Sequence, residues 1–138
     1  MNDTFILDAC SLIALLVGEK GAEKIKGIIQ DAIDGIITVK INQINLLEVY
    51  YFTINIYGQN EANRVLKIIK EFPIEIINGL TDDVFSEAGR IKSKYKIPLG
   101  DSIVVAECIV RDGTLVTSDH ADFEKIKVAE NIKINWFR

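Results

Sequence analysis

The sequence predicts an α/β fold of three layers, in which a short and mostly parallel central sheet is flanked by helices. Short runs of β-branched and aliphatic residues alternate along the chain with longer helical segments. The 138 residues are 49% hydrophobic and 26% charged, values typical of a globular chain of this size. Neither a linker nor an internal repeat interrupts them. We therefore expect residues 1–138 to form one domain.

The strands are predicted where aliphatic runs of about four residues lie between turn-forming residues. These runs are residues 4–7, 74–77, 114–117 and 132–135. Residues 35–41 are ambiguous, because they are rich enough in β-branched residues for a strand but lie close to a following helix. The first strand ends at Asp8, and the strand over residues 114–117 ends at Ser118 and Asp119.

The helices are predicted from apolar periodicity and from residues that begin or end helices. Gly58 and Pro73 each end a helix, and Thr81 is a good N-cap for the helix that follows it. Helices are expected over residues 11–16, 21–33, 42–57, 61–72, 82–94, 101–111 and 121–126.

Three apolar segments each contain a single charged residue, and in every case it is a carboxylate. Asp8 is the only charge between residues 4 and 18, Glu48 between residues 41 and 57, and Asp101 between residues 97 and 106. Burying an unpaired carboxylate lowers the stability of the fold by roughly several kcal/mol, because the ion loses its water. No lysine or arginine of the same segments can neutralise them. We therefore expect the acids to converge on a divalent cation.

The predicted topology brings these acids to one edge of the sheet. Asp8 and Asp119 each follow a strand, and ligands of open parallel sheets bind beyond the carboxyl ends of strands. Asp101 begins a helix, Glu48 is long enough to reach over the rim, and Asp122 lies close to Asp119. Oxygen ligands without histidine or cysteine favour Mg²⁺ or Mn²⁺.

Each acid also has a purely structural interpretation. Asp8 could cap the following helix, Asp101 could oppose a helix dipole, and Asp119 could be a turn residue. Asp122 could cap the short last helix. Glu48 has the weakest alternative of this kind, because a glutamate among large apolar residues is rarely buried without a partner. The combination, rather than any single acid, indicates the metal site.

The remaining features restrict partners and compartment. The net charge of −4 gives no support for broad electrostatic capture of a nucleic acid, although the candidate acids account for much of this negative charge.

Cys10 and Cys108 lie in apolar surroundings without zinc-type spacing, which indicates free thiols in a reducing compartment. Residues 1–17 lack the basic start of a signal peptide. We expect a cytoplasmic protein without a membrane-spanning segment.

A basic cluster precedes Asp101 and consists of Arg90, Lys92, Lys94 and Lys96. These cations are typical of a solvated helix C-terminus, where they complement the helix dipole. They are also suited to contact phosphate groups beside the site. The sequence leaves both interpretations open.

Taken in order, four segments of the sequence resemble the PIN-domain ribonucleases, most closely the small VapC-type toxins of toxin–antitoxin pairs. The resemblance spans essentially the whole chain. The segments are FILDACSLIA at residues 5–14, INLLEVYY at 44–51, YKIPLGDS at 95–102 and LVTSDHADF at 115–123. By this resemblance Asp8, Glu48, Asp101 and Asp119 match the acidic quartet of the family, and Asp122 lies where members often carry a further acid.

The resemblance implies a PIN-like sandwich, cleavage of RNA by an Mg²⁺- or Mn²⁺-dependent endoribonuclease, a homodimer, and a cognate antitoxin. It implies Asp8 and Asp101 as direct metal ligands, with Glu48 and Asp119 binding directly or through water. One position departs from the pattern: Cys10 lies where many members have Ser, Thr or Asn. The main alternative is a catalytically silent PIN-like domain that binds proteins.

Overall fold

The computed structural model describes residues 2–138 and contains five strands and seven helices in that part of the chain. The strands are β1 (Asp3–Leu7), β2 (Ile37–Asn42), β3 (Ile74–Ile77), β4 (Thr114–Thr117) and β5 (Lys133–Trp136). The helices are α1 (Ala9–Val17), α2 (Ala22–Ile33), α3 (Gln43–Tyr57), α4 (Gln59–Glu71), α5 (Asp82–Lys94), α6 (Leu99–Arg111) and α7 (His120–Glu130).

The five strands form one sheet in the order β3-β2-β1-β4-β5, and every neighbouring pair is parallel. This arrangement confirms the predicted α/β sandwich with a parallel sheet. From β1 the chain proceeds outward on one side to β2 and β3, and it returns to the other side of β1 to add β4 and β5. The strand order therefore reverses between β1 and β4, the place where open sheets bind ligands.

Two large apolar clusters pack against the sheet. One contains buried side chains of α1 to α4, such as Leu12, Ile25 and Val49, together with Ile41 of β2. The other joins α5, α6 and α7 to β1, β4 and β5, and Phe123 is its largest fully buried side chain. This packing leaves the carboxyl ends of β1 and β4 as a shared edge.

Most element boundaries follow the predictions, and the main differences concern β2 and the last helix. The ambiguous segment becomes β2, which begins at Ile37 because Gly35 takes a positive φ and turns the chain. The last helix runs to Glu130 rather than ending at residue 126. It begins after Asp119, which is its N-cap, so the alternative that Asp122 caps this helix is wrong.

No helix of residues 2–138 is both long enough and apolar enough to span a membrane.

Candidate metal centre

Asp8 lies directly beyond β1 at the centre of the sheet, and its side chain is 5% exposed. Its Oδ1 accepts hydrogen bonds from the Ser11 amide at 3.3 Å and from the Cys10 thiol at 2.8 Å. Its Oδ2 accepts a 2.6 Å hydrogen bond from the Thr117 hydroxyl at the end of β4. Asp8 is therefore the N-cap of α1, as one interpretation of the sequence proposed, and it also faces the ligand-binding edge of the sheet.

Burial dominates the electrostatics of this first acid. Burial raises the pKa of Asp8 to about 6, because it removes water from the charged carboxylate. The hydrogen bonds from Cys10, Thr117 and Ser11 lower the pKa, but by less than burial raises it. Burial and the neighbouring carboxylate also raise the pKa of Cys10 to about 12. The thiol therefore keeps its proton and acts as a donor to Asp8 at neutral pH.

Three further acids form a compact cluster on the same side of the fold. Asp101 lies in the first turn of α6, Asp119 caps α7, and Asp122 lies in the first turn of α7. One carboxylate oxygen from each of them lies within 4.8 Å of one from each of the others. The start of α6 and the turn from β4 into α7 thus bring together acids that are up to 21 positions apart in the sequence.

The charges of this cluster are not balanced by the protein. The pKa of Asp101 rises to about 9, first because of burial, then because of a hydrogen bond and charge repulsion from Asp122, with smaller contributions from Asp8 and Asp119. Burial is also the main cause of the raised pKa of Asp119. Within residues 2–138 none of the candidate acids forms an ion pair with a lysine or arginine.

Glu107 shows how a buried acid of the same helix is satisfied when its role is structural. It is fully buried in α6 and accepts a 2.8 Å hydrogen bond from Arg111 Nε and a 2.7 Å hydrogen bond from Asn42 Nδ2. An arginine and an amide thus stabilise its charge. Asp101, six residues earlier, has no such partner, and this contrast indicates that its neutralising group comes from outside the chain.

Glu48 lies in α3, and its carboxylate reaches the first turn of α6 at Gly100. Its Oε1 accepts a 3.1 Å hydrogen bond from Asn45 Nδ2, and burial raises its pKa. Its carboxylate also lies against the backbone of Gly100, where a Cβ atom would come within 2.3 Å of Oε1. Glu48 therefore lies against the residue that precedes Asp101 in the first turn of α6, and neither Glu48 nor Asp8 belongs to the 4.8 Å group.

The chemistry of this donor set fits a hard divalent cation. Four aspartates and one glutamate supply oxygen atoms only, and Mg²⁺ and Mn²⁺ prefer such ligands. The unbalanced and partly buried cluster of Asp101, Asp119 and Asp122 is the observation that supports the fit. Like charges held this closely favour protonation or a bound cation.

Comparison with known protein families gives one match: residues 5–129 match the PIN domain. This chain belongs to the PIN domain family. Comparison with curated protein sequences gave no match.

Solved structures share the fold of this PIN domain at low sequence identity. VapBC2 from Rickettsia felis, bound to a DNA fragment from its promoter, has a TM-score of 0.75 at 18% identity, covering 96% of this chain and 98% of that one. DNA-bound VapBC from Salmonella typhimurium has a TM-score of 0.75 at 16% identity, covering 100% of both chains. A toxin–antitoxin complex from Klebsiella pneumoniae has a TM-score of 0.67 at 20% identity, covering 96% and 97%.

Two of the four residues of the basic cluster, Arg90 and Lys94, form ion pairs within this PIN domain. Arg90 and Lys94 both contact Glu130 of α7, at 2.7 Å and 3.2 Å. The pKa of Glu130 falls to about 2, chiefly because of the hydrogen bond from Arg90. These contacts tie α5 to α7 and favour the structural interpretation of Arg90 and Lys94. The single histidine, His120, is exposed and stacks on Trp136 at a ring separation of 4.0 Å.

The sequence interpretation missed three residues that organise the acids. Thr117 binds Asp8 across neighbouring strands, Asn45 binds Glu48, and Gly100 provides the space that the Glu48 carboxylate occupies. One signal was available, because Asn45 lies three residues before Glu48 and so shares its helix face. The other two contacts depend on tertiary packing and have no local signature.

Proposed function

We propose that this PIN domain is a metal-dependent endoribonuclease and the toxin of a VapBC-type toxin–antitoxin pair. The observation that carries the proposal is the group of partly buried, unneutralised carboxylates at the sheet edge between β1 and β4. Family membership supports nuclease chemistry. The structural neighbours support the toxin assignment, because they are named as a toxin–antitoxin complex and as VapBC structures.

The residues proposed to hold the metal are Asp101, Asp119 and Asp122, together with Asp8 at the end of β1 and Glu48 beside Gly100. A bound Mg²⁺ or Mn²⁺ would supply a Lewis acid that activates water and stabilises charge on the phosphoryl oxygens. Asp8 is held rigidly by Cys10, Ser11 and Thr117, so its oxygens are fixed before any ligand arrives. None of the acids needs to act as a covalent nucleophile.

The proposed substrate is RNA that exposes a phosphodiester in an unpaired region. A cation bound by the acids would remove much of the negative charge that otherwise repels a phosphate. Shape and unpaired bases are the usual means by which proteins select such RNA. We propose cytoplasmic action, where RNA is available and the two free cysteines, Cys10 and Cys108, remain reduced.

We further propose two protein partners, a second copy of the chain and a cognate antitoxin. An apolar groove of about 470 Å³ lies between α3, α5 and α6, and its rim includes Phe85 and Leu99. These side chains are 69% and 61% exposed. Exposed aromatic and aliphatic side chains around a groove are typical of protein interfaces. We propose this groove as the homodimer surface, because association would remove its exposed apolar side chains from water.

Inducible expression in a bacterial host tests the proposed function directly. Wild-type protein is compared with Asp101→Asn, and cellular RNA is inspected for discrete cuts. We expect growth arrest and RNA cleavage with the wild type only. Purified wild-type protein should cleave RNA with Mg²⁺ or Mn²⁺, and neither an EDTA-treated sample nor Asp8→Asn should do so. Equal growth and intact RNA in both strains would contradict the toxin assignment.

A catalytically silent domain that binds proteins is the second candidate, and the apolar groove is the observation that favours it. The two proposals differ in one measurable respect. A silent domain would leave diverse RNAs uncut with either metal while still binding its protein partner. Cleavage that Asp8→Asn abolishes would exclude it.

A further inference from the structure

Asn45 occupies an unusual position for an amide side chain. It lies in α3 with 1% of its surface exposed. Its Nδ2 donates two hydrogen bonds, one to Glu48 Oε1 and one to the Gly100 carbonyl oxygen, both at 3.1 Å. These bonds bridge α3 to the first turn of α6, next to Asp101. One nitrogen atom thus contacts both a candidate metal ligand and the helix that carries another.

The other half of the same amide has no partner. Asn45 Oδ1 is buried and accepts no hydrogen bond from any residue in the described range 2–138. A buried and unsatisfied oxygen has a free-energy cost that a leucine of similar volume would avoid. The Oδ1 atom therefore does not explain an asparagine at this position, whereas the two hydrogen bonds of the Nδ2 atom do.

Gly100 also contacts the Glu48 carboxylate. The Glu48 carboxylate fills the space beside the Gly100 backbone, where a Cβ atom would lie 2.3 Å from Oε1 and 3.0 Å from Oε2. Asn45 thus donates a hydrogen bond to Glu48 Oε1, and the Gly100 backbone, which has no side chain, packs against the same carboxylate. The side chain of Glu48 has several rotatable bonds, and these contacts restrict them.

We propose that Asn45 is a positioning residue that fixes the Glu48 carboxylate against Gly100, beside Asp101. This inference rests on the proposed metal-dependent function and names a residue on which that function depends. Asn45 touches neither metal nor substrate in this role, and it acts through Glu48. Residues that orient metal ligands in this way typically affect metal affinity or activity by about 10–100-fold.

The test compares Asn45→Leu in two backgrounds, wild type and Glu48→Gln. Mn²⁺ affinity of the purified protein is measured by titration calorimetry without RNA, and folding is checked by circular dichroism. In the wild-type background we expect Asn45→Leu to weaken Mn²⁺ binding by about 10–100-fold. In the Glu48→Gln background the same change should weaken binding by about twofold at most, because the effect acts through the carboxylate.

Thr53→Val is the matched control, since Thr53 is also buried in α3 and its hydroxyl donates a 2.8 Å hydrogen bond to the Val49 carbonyl. It should leave Mn²⁺ affinity unchanged. If Asn45→Leu does not fold, Asn45→Ala is measured in its place. Wild-type affinity in the Asn45 variant, or equal losses in both backgrounds, would overturn the inference. A wild-type protein that neither binds Mn²⁺ nor cleaves RNA would instead contradict the proposed function itself.

Discussion

The Thr117 hydroxyl donates a 2.6 Å hydrogen bond to Asp8 Oδ2 and joins residues 109 positions apart. The parallel register of β1 and β4, in which Leu7 pairs with Val116, brings the two side chains together at the ends of their strands. Thr117 Oγ1 also accepts a hydrogen bond from the Asp119 amide at 3.1 Å. One hydroxyl therefore links two of the candidate metal ligands.

Thr117→Val should reduce both metal-dependent cleavage and stability. Valine keeps the shape of the fully buried side chain but leaves Asp8 Oδ2 without its donor. We expect cleavage to fall by about 10–100-fold, as for other residues that orient metal ligands. The free energy of unfolding should fall by about 1–3 kcal/mol, because a buried acceptor loses its partner. Cleavage assays with Mg²⁺ and urea unfolding measure the two effects.

Thr117→Ser is the control and should retain activity, because serine keeps the hydroxyl group. A fully active Thr117→Val would show that the hydrogen bond to Asp8 is dispensable.

Gly100→Ala should separate activity from stability. Alanine is favoured over glycine within helices by about 0.5–1 kcal/mol, but its Cβ atom would displace the flexible Glu48 carboxylate. We expect at least about tenfold slower cleavage with no loss of thermal stability. Gly27→Ala is the matched control, because a Cβ atom at this exposed glycine of α2 meets nothing within 4 Å. That variant should cleave RNA at the wild-type rate. Equal activity of the two variants would indicate that Glu48 tolerates displacement.

Asp101→Asn should stabilise the metal-free protein while abolishing its response to metal. The substitution removes one of three carboxylates whose oxygens lie within 4.8 Å of one another. A gain of about 1 kcal/mol corresponds to a rise in Tm of roughly 4 °C for a domain of this size. In the wild type, Mn²⁺ at 100 times its Kd should contribute about 2.7 kcal/mol. Thermal melts with EDTA and with Mn²⁺ measure both quantities, and an equal metal-induced shift in both proteins would argue against a metal site at Asp101.

Glu130→Gln should destabilise the fold in a pH-dependent manner. Glu130 accepts hydrogen bonds from Arg90, Lys94 and Tyr95, and these lower its pKa from 4.5 to about 2. A lowered carboxylate pKa stabilises the folded state above the unfolded pKa, and this contribution is lost as pH falls from about 4.5 to 2. At pH 7 we expect a loss of about 1 kcal/mol, which is modest because Arg90 and Lys94 are partly exposed to solvent.

Urea unfolding of wild type and Glu130→Gln between pH 2 and pH 7 checks this prediction. The difference between the two proteins should shrink as the pH falls through this range. Glu23→Gln is a suitable control, because the Glu23–Lys26 pair lies on the exposed surface of α2. A constant difference at every pH would mean that packing, rather than charge, explains the effect.

Phe85→Glu should convert a homodimer into a monomer. Phe85 is 69% exposed on the rim of the groove assigned to the second copy, and a charge there would have to be desolvated on association. Light scattering coupled to size-exclusion chromatography measures the mass of each variant. Val128→Glu is the control, because Val128 is 82% exposed on α7 and does not line the groove. A dimeric Phe85→Glu protein would exclude this groove as the interface.

Local sequence signals were sufficient for most of the elements and for several residues adjacent to them. β-branched runs predicted β1 and β4, and the position of Asp8 and Asp119 directly after these strands predicted that both lie at one edge of the sheet. Such signals arise from backbone preferences and from apolar periodicity, which act over a few residues. The same signals suggested Asp122 as the cap of the last helix and Asp119 as a turn residue, because both are suitable at a helix start and only the geometry of α7 distinguishes them.

The sequence by itself determined the PIN fold, the apolar segments, and the acids in those segments that have no lysine or arginine near them in the sequence. Only the tertiary structure decided how those acids are held: Thr117 contacts Asp8, Asn45 and Gly100 contact Glu48, and Asp122 contacts Asp101. The reason is that hydrogen bonds between distant side chains depend on strand register and helix packing, which no local pattern of residues encodes.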